Sequence, residues 1–448
     1  NMNLIILAGT TALIKITAKL RTKDSESSEE TSKPASIKSL QIRFLSVFWL
    51  LRCADWLQGP YFYEVYSSKI FNGVPASLAT VSRLFLTGFA STALFGPLVG
   101  RASDKRGRKR GTLAFALLYS LGAASTKSSL LWILLLGRLC SGIGTSLLFS
   151  APEAWLVGEA TKLEGGGKYL GETFGMAYAG DSIVAILAGQ LAGAAAGARG
   201  PSGPFELSIA FLATGAMLAA LLWKENKATQ DIESDGTEQK DITIRDALAV
   251  VSADPKIMLV GAVQSLFEAA MYIFVLQWPP AISAAVANVF DGSATPYGTV
   301  FSCFMASCLL GSTLFGQLVK RDVKVETFAS GMLAVATVAM GVGAIAVSSS
   351  TLFTSPLAAM VAAFFAFEAC VGMYFPSIGT LRSKYIPDSH RSVIMNLFGI
   401  PLNVLVVSVF LSIKKLGVSG ALSVSTGALG LATLSMIKLK SLVKDTNM

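Results

Sequence analysis

Charge, histidine and paired cysteine are all scarce in this chain. Only 15% of its 448 residues are Asp, Glu, Lys or Arg, against about 25% in soluble domains, so a water-soluble globule would lack the polar surface it needs. A single histidine, His390, stands in a polar stretch, which excludes a histidine-built metal centre or catalytic triad. The five cysteines (Cys53, Cys140, Cys303, Cys308 and Cys370) fall inside apolar runs without disulfide or metal-ligand spacing; they read as small buried hydrophobes. No phosphate-binding loop of the form G-x-x-x-x-G-K-[ST] occurs. Neither an enzyme nor a cofactor is expected.

What the chain has is apolar sequence: 52% hydrophobic residues, 41 glycines and a mean hydropathy of +0.58. Crossing the hydrocarbon core takes about 20 apolar residues in a helix, and unpaired backbone excludes open strands there. Twelve such runs lie at 42–63, 78–100, 111–126, 130–157, 171–197, 204–223, 256–280, 297–319, 325–347, 356–379, 392–413 and 418–437. The fold class is therefore an all-α membrane protein. Its expected organisation is an N-terminal apolar segment at 1–20 forming an anchor helix, a polar linker at 21–41 and a six-helix bundle at 42–223. A hydrophilic connector at 224–255, a second six-helix bundle at 256–437 and a cytoplasmic tail at 438–448 follow.

The net charge of +9 would suggest nucleic acid in a soluble protein. Here it reads as topology, since Lys and Arg collect on cytoplasmic loops. With the N-terminus of the twelve-helix core in the cytoplasm, the inner segments gain the basic cluster at 101–110, Lys162, Lys168, Lys320, Arg321, Arg382 and Lys384. The outer loops keep only Lys69, Lys127, Arg199, Lys414 and Lys415.

The halves resemble each other. Phe95-Gly96-x-Leu98-Val99-x-Arg101 recurs at Phe315-Gly316-x-Leu318-Val319-x-Arg321, Glu153 aligns with Glu368, and Asp55 with Glu268, at offsets of 220, 215 and 213 residues. Two similar six-span halves are the architecture of a rocker-type secondary transporter, whose substrate site lies between the halves.

Ionisable side chains inside the spans are Arg52, Asp55, Arg83, Arg138, Glu153, Asp181, Glu268 and Glu368. Each is costly against lipid, so each is expected to face a cavity or a partner. Arg52, Asp55 and Gln58 recur at steps of three, and Gln264, Glu268 and Tyr272 at steps of four, which places each set on one helix face. With Arg138, Glu153 and Glu368 they form the expected substrate and proton pathway, although Arg52 and Asp55 can equally neutralise one another. Glu159 is expected to pair with arginines of the 101–110 loop. Trp56 and Trp155 read as packing residues, Tyr61 and Tyr374 as interfacial anchors, and Gly189-x-x-x-Gly193-x-x-x-Gly197 as a packing seam.

Two loop and helix motifs sharpen the reading. Gly100-x-x-x-Asp104-x-x-Gly107-Arg108-Lys109 resembles the gating signature of the major facilitator superfamily, and Arg138-x-x-x-Gly142-x-Gly144 resembles its second motif. Glycine permits a tight turn, and the charges can pair at helix ends. Asp55-Trp-Leu-Gln-Gly-Pro-Tyr61, Leu148-Phe-Ser-Ala-Pro-Glu-Ala-Trp155, Gln264-Ser-Leu-Phe-Glu268, Glu368-Ala-Cys-Val-Gly-Met-Tyr-Phe-Pro-Ser377 and Met395-Asn-Leu-Phe-Gly-Ile-Pro-Leu402 resemble the molybdate-anion transporter family across the twelve-span core. That resemblance implies a major facilitator fold, a small inorganic anion (molybdate) as substrate and a plasma-membrane location. The family pattern also places basic residues near Met176 and at Gly399, and this chain lacks both. The expected mechanism is alternating access. Glu268 or Glu368 takes up a proton with the substrate, and Arg138 and Arg52 supply positive charge. Alternatives are a proton-linked carrier of another small metabolite and a non-transporting membrane receptor of the same fold.

Overall fold

A computed structural model describes residues 34–227, 244–290, 293–348, 352–387 and 391–445. The expected anchor segment at 1–20, most of the linker, the middle of the connector and His390 lie outside the described residues.

Helix α1 (Ala35–Gln58) starts directly after Pro34, within the segment read from sequence as linker. Ile37 and Leu40 are buried, and Gln41 donates to Thr173 Oγ1 at 3.0 Å, which gives this first turn a packed face. A short helix α2 (Phe62–Ser67) and a two-stranded hairpin, β1 (Ile70–Phe71) with β2 (Val74–Pro75), follow. Asn72 and Gly73, at φ 51° and 80°, form the hairpin turn, as expected of an Asn-Gly pair. The first unit continues with α3 (Leu78–Arg106), α4 (Arg108–Ser125), α5 (Leu131–Leu148), α6 (Ala151–Ala160), α7 (Leu170–Arg199) and α8 (Gly203–Leu222). The remainder comprises α9 (Ile244–Ala253), α10 (Pro255–Val289), α11 (Tyr297–Lys320), α12 (Val325–Ser348), α13 (Pro356–Tyr385) and α14 (Arg391–Asp445). Gly417, at φ 63°, divides α14 into two arms.

Among the described residues, nine helical stretches are long and apolar enough to cross a membrane; α5 and α6 count as one, and α14 as one. Helices α1 and α4 fall outside that set because they are more polar: α1 carries Lys38, Arg43, Arg52 and Asp55, and α4 opens on Arg108-Lys109-Arg110. With these two, and with the arms of α14 taken separately, the twelve spans expected from the sequence are all present as helices.

Within the described residues the chain forms two compact units, one of 34–227 with Pro296–Ser302, the other of 244–290, 293–295 and 303–445. Lipid is as apolar as leucine, so helices in a bilayer associate through close packing at small residues. In the first unit, a Cβ on Gly142 of α5 would lie 2.4 Å from the Gly88 carbonyl of α3. In the second, a Cβ on Gly372 of α13 would lie 1.9 Å from the Cys308 carbonyl of α11, and one on Gly311 would lie 1.8 Å from that of Ala369. Each unit thus brings its second and fourth spanning helices into backbone contact. Gly189 of the seam meets Gly298 and Ser302, which belong to the same unit, while a Cβ on Gly197 would meet nothing.

Candidate substrate clusters and gate

The first unit holds a buried charge cluster where α1, α4 and α7 meet. Arg52 donates through Nε and Nη2 to the two carboxylate oxygens of Asp181, at 3.0 and 2.9 Å, and through Nη1 to Asp55 at 3.4 Å. Asp181 also accepts from Trp56 Nε1 at 2.8 Å, and Asp55 from the Tyr119 hydroxyl at 2.5 Å. The guanidinium lies 4.8 Å from the Trp56 ring centroid and 5.1 Å from that of Phe149. One cation therefore faces two carboxylates inside the spans. A side-on guanidinium–carboxylate fork of this kind also fits a tetrahedral oxyanion.

A second cluster is built where α10 and α13 meet. Arg382 donates Nε to Gln264 Oε1 at 2.9 Å and Nη2 to Glu268 Oε1 at 3.0 Å, and the Tyr374 hydroxyl donates to the same Glu268 oxygen at 2.9 Å. Tyr374 also stacks on Phe267 at 3.9 Å between centroids. Of the polar stripe expected on α10, Gln264 and Glu268 thus share one arginine, and Tyr272 follows one turn further along the helix.

Several expectations are corrected. Gln58 is not on the face of Arg52: it donates to Ser208 of α8 at 2.9 Å, because steps of three on a 3.6-residue helix turn its side chain about 120° away. Arg138 makes no hydrogen bond to the Arg52 fork but lies within electrostatic reach of Asp55 and Tyr119 of the same cluster. Its guanidinium sits 4.6 Å from the Phe62 ring centroid and fills the niche left by Gly88. Arg83 is exposed in the second turn of α3 and lines an open groove with Leu86, Thr87 and Ala90, so of the two expected surroundings it has a cavity. Glu153 and Glu368 have unlike surroundings despite their alignment. Glu153 accepts from the Tyr178 hydroxyl of α7, whereas Glu368 accepts from the Cys308 thiol of α11 at 3.0 Å. The break at Phe149–Ser150 resets the helical phase just before Glu153, while α13 runs unbroken through Glu368. Cys308, half-buried, is thus a hydrogen-bond donor and not simply a small buried hydrophobe. Tyr374 is an interior donor, not an anchor, and Trp56 is a ligand of Asp181 as well as a packing group.

The gate motif closes α3 and opens α4. Gly107, at φ +131°, makes the turn, and a Cβ there would lie 2.3 Å from the Glu225 carboxyl carbon. Gly100 lies within α3 and takes no part in the turn. Asp104 and Arg108 pair at 2.9 Å. The carboxylate of Glu225 accepts from the backbone N–H groups of Lys109 and Arg110 at 2.9 and 3.1 Å, while Lys109 Nζ donates to the Ala220 and Trp223 carbonyls at 2.7 and 2.9 Å. Glu159 binds Lys162 and Asn226, not the loop arginines. Trp155 stacks on Trp223 at 4.0 Å and donates to the Lys224 carbonyl. The start of the connector is therefore a clasp on the gate, which no motif in the sequence indicated. Glu225→Ala is expected to leave the N-terminus of α4 uncapped at a cost of about 1–2 kcal/mol. Thermal unfolding in detergent should show a lower midpoint, with Glu225→Gln intermediate; an unchanged midpoint in both variants would show that the clasp contributes nothing.

Residues 3–375 match the MFS_5 family model, described as sugar transporters with 12 TM segments. A molybdate-anion transporter of Danio rerio is 30% identical over 422 residues, spanning 90% of this chain and 84% of that protein. One of Xenopus tropicalis is 30% identical over 386 residues, spanning 86% and 80%. Among solved structures, a peptide transporter (POT) in complex with sulfate aligns with a TM-score of 0.68 at 14% identity, over 93% of this chain and 96% of that one. At that identity the likeness shows the fold alone. The relatives' names describe transport, a non-enzyme role. A match running from the N-terminal segment into α13, together with relatives that align over most of their own length, makes this chain a multi-pass membrane protein of the MFS_5 family in the major facilitator superfamily.

Proposed function

We propose that the chain is a secondary active transporter that takes up molybdate across the plasma membrane by alternating access, with proton symport, and that its gate loop faces the cytoplasm. The carrying observation is that Arg52 and Arg382, both inside spanning helices, are each held by a carboxylate: Asp181 for Arg52 and Glu268 for Arg382. An arginine held this way is already dehydrated and oriented. When the carboxylate takes up a proton, its hold on the guanidinium weakens, and the N–H donors become available to a tetrahedral dianion. Substrate and proton then bind together, which is the condition for symport. The names of the relatives support molybdate as the anion.

Expression in a host deficient in molybdate uptake, scored by molybdoenzyme activity at limiting molybdate, tests this reading. Rescue is expected, with competition by tungstate and flattening of the pH dependence in Glu268→Gln. No rescue by protein confirmed at the cell surface overturns it. Retention of the parent pH dependence by both Glu268→Gln and Glu368→Gln removes the proton step. The family model's description as sugar transporters favours one alternative, a proton-linked carrier of a neutral metabolite. Competition by organic solutes, without effect of tungstate or sulfate, identifies that case.

A further inference from the structure

Arg106 and Arg110 lie outside the Asp104–Arg108 pair and the charge clusters; Arg110 Nε stands 3.8 Å from the Glu225 carboxylate of the clasp, and its Nη1 donates to the Arg106 carbonyl at 3.4 Å. Arg106 ends α3, Arg110 lies in the first turn of α4, and both are exposed. They stand at one end of an open cleft of about 300 Å³ between α3, α4 and α5. Beyond them the lining turns apolar, through Val99, Ala114 and Leu118. From Arg110 to Leu118 the wall follows α4 for about 12 Å at 1.5 Å per residue. Leu98 and Leu117, each adjacent in sequence to a lining residue, are exposed.

Ser103 also lines this cleft. It is only 6% exposed, and its hydroxyl has no hydrogen-bond partner among the described residues. The hydroxyl points toward the bare α-carbon of Gly111, where a Cβ would lie 2.1 Å from Oγ. That hydroxyl is turned into the contact between α3 and α4, where only a glycine at 111 leaves it room. Two guanidinium groups recognise a phosphate diester by charge-assisted forks. A soluble anion would make no use of the apolar wall beyond them, whereas an acyl chain would.

We propose that this cleft binds an anionic phospholipid, with its phosphodiester on Arg106 and Arg110 and one acyl chain along Ala114 and Leu118. On the orientation proposed above, the lipid comes from the inner leaflet. Because its phosphate bridges the end of α3 and the start of α4, occupancy braces the gate turn independently of what the carrier transports.

The test is binding of dioleoyl phosphatidylglycerol in mixed micelles to the purified full chain, read by thermal stability and by lipid retained in native mass spectrometry. Phosphatidylglycerol, but not phosphatidylcholine, is expected to raise the unfolding midpoint. Arg106→Gln/Arg110→Gln is expected to weaken the apparent affinity at least about tenfold, one such factor corresponding to 1.4 kcal/mol. Ala114→Phe fills the apolar slot without changing charge and is expected to weaken it similarly. Should that variant not fold, Leu118→Ala tests the same wall. Parent-like affinity in the slot variant would reduce the site to surface charge and overturn the proposal. Displacement of the lipid by inorganic phosphate alone would make it a soluble-anion site, and equal stabilisation by phosphatidylcholine would remove headgroup recognition.

Discussion

Arg382→Gln is expected to lower substrate uptake at least about a hundredfold and to destabilise the second unit, while Arg382→Gln/Glu268→Gln recovers stability without recovering transport. The guanidinium bridges Gln264 and Glu268 at 2.9 and 3.0 Å, and Tyr374 completes the same carboxylate oxygen. Removing one partner of this half-buried ion pair leaves the other charge uncompensated, at about 2–3 kcal/mol once partial exposure is allowed for. Removing both charges leaves three amides, at 264, 268 and 382, and a phenol that can hydrogen-bond among themselves, so most of that penalty disappears. Transport does not return, because the cation offered to the anion is gone. A loss of about 3 kcal/mol in binding alone is roughly a hundredfold in affinity. Thermal unfolding and uptake measured on the parent, Arg382→Gln and the double variant decide the matter. Parent-level uptake by Arg382→Gln would show that this cluster is not where the anion binds, and failure of the double variant to regain stability would show that Arg382 acts by packing.

Arg382 also shows where the sequence stops being informative. Periodicity and hydropathy marked the twelve spans because composition in a bilayer is so strongly constrained, but they locate span ends poorly. Helix α13 runs to Tyr385, whereas its apolar run fades near 379. An arginine beyond an apolar run counts toward loop charge, yet helical side chains lean back toward the N-terminus, so Arg382 reaches the level of Tyr374 and Glu268. The basic residues expected near Met176 and at Gly399 are absent, and the cation of this unit's cluster comes from a position assigned to topology. Gln58 failed for a related reason: a three-residue step keeps immediate neighbours together but not a third member. Tyr119 and Tyr178 gave no signal, since a tyrosine in an apolar run reads as packing until its hydroxyl is seen on a carboxylate. Asp181 was visible as a buried charge, but its partner lies 129 residues earlier in the chain, a separation no local pattern can bridge. Likewise, the Glu225 clasp could not be foreseen from a hydrophilic connector whose composition says only that it is solvated.

For the first unit, geometry predicts an order of effects rather than a single loss. Arg52→Gln leaves Asp55 and Asp181 together without their cation and is expected to be the most damaging, at about 3–5 kcal/mol with no measurable uptake. Asp181→Asn removes the two-point fork but leaves Arg52 with Asp55, for an expected cost of about 2–3 kcal/mol. Asp55→Asn removes one long contact at 3.4 Å and retains an acceptor for Tyr119, so about 1 kcal/mol is expected. Uptake should separate from stability in this series. Asp181→Asn frees two donors of Arg52, so it should keep substrate binding while losing the release that protonation controls, giving tighter apparent affinity with slower turnover. Asp55→Asn should change both only slightly. Equilibrium binding in detergent, initial uptake rates and unfolding midpoints on the three variants test the order. If Asp55→Asn proves more damaging than Asp181→Asn, the fork to Asp181 is not what positions Arg52. Weaker binding by Asp181→Asn would mean that Asp181 does not compete with the anion for the guanidinium.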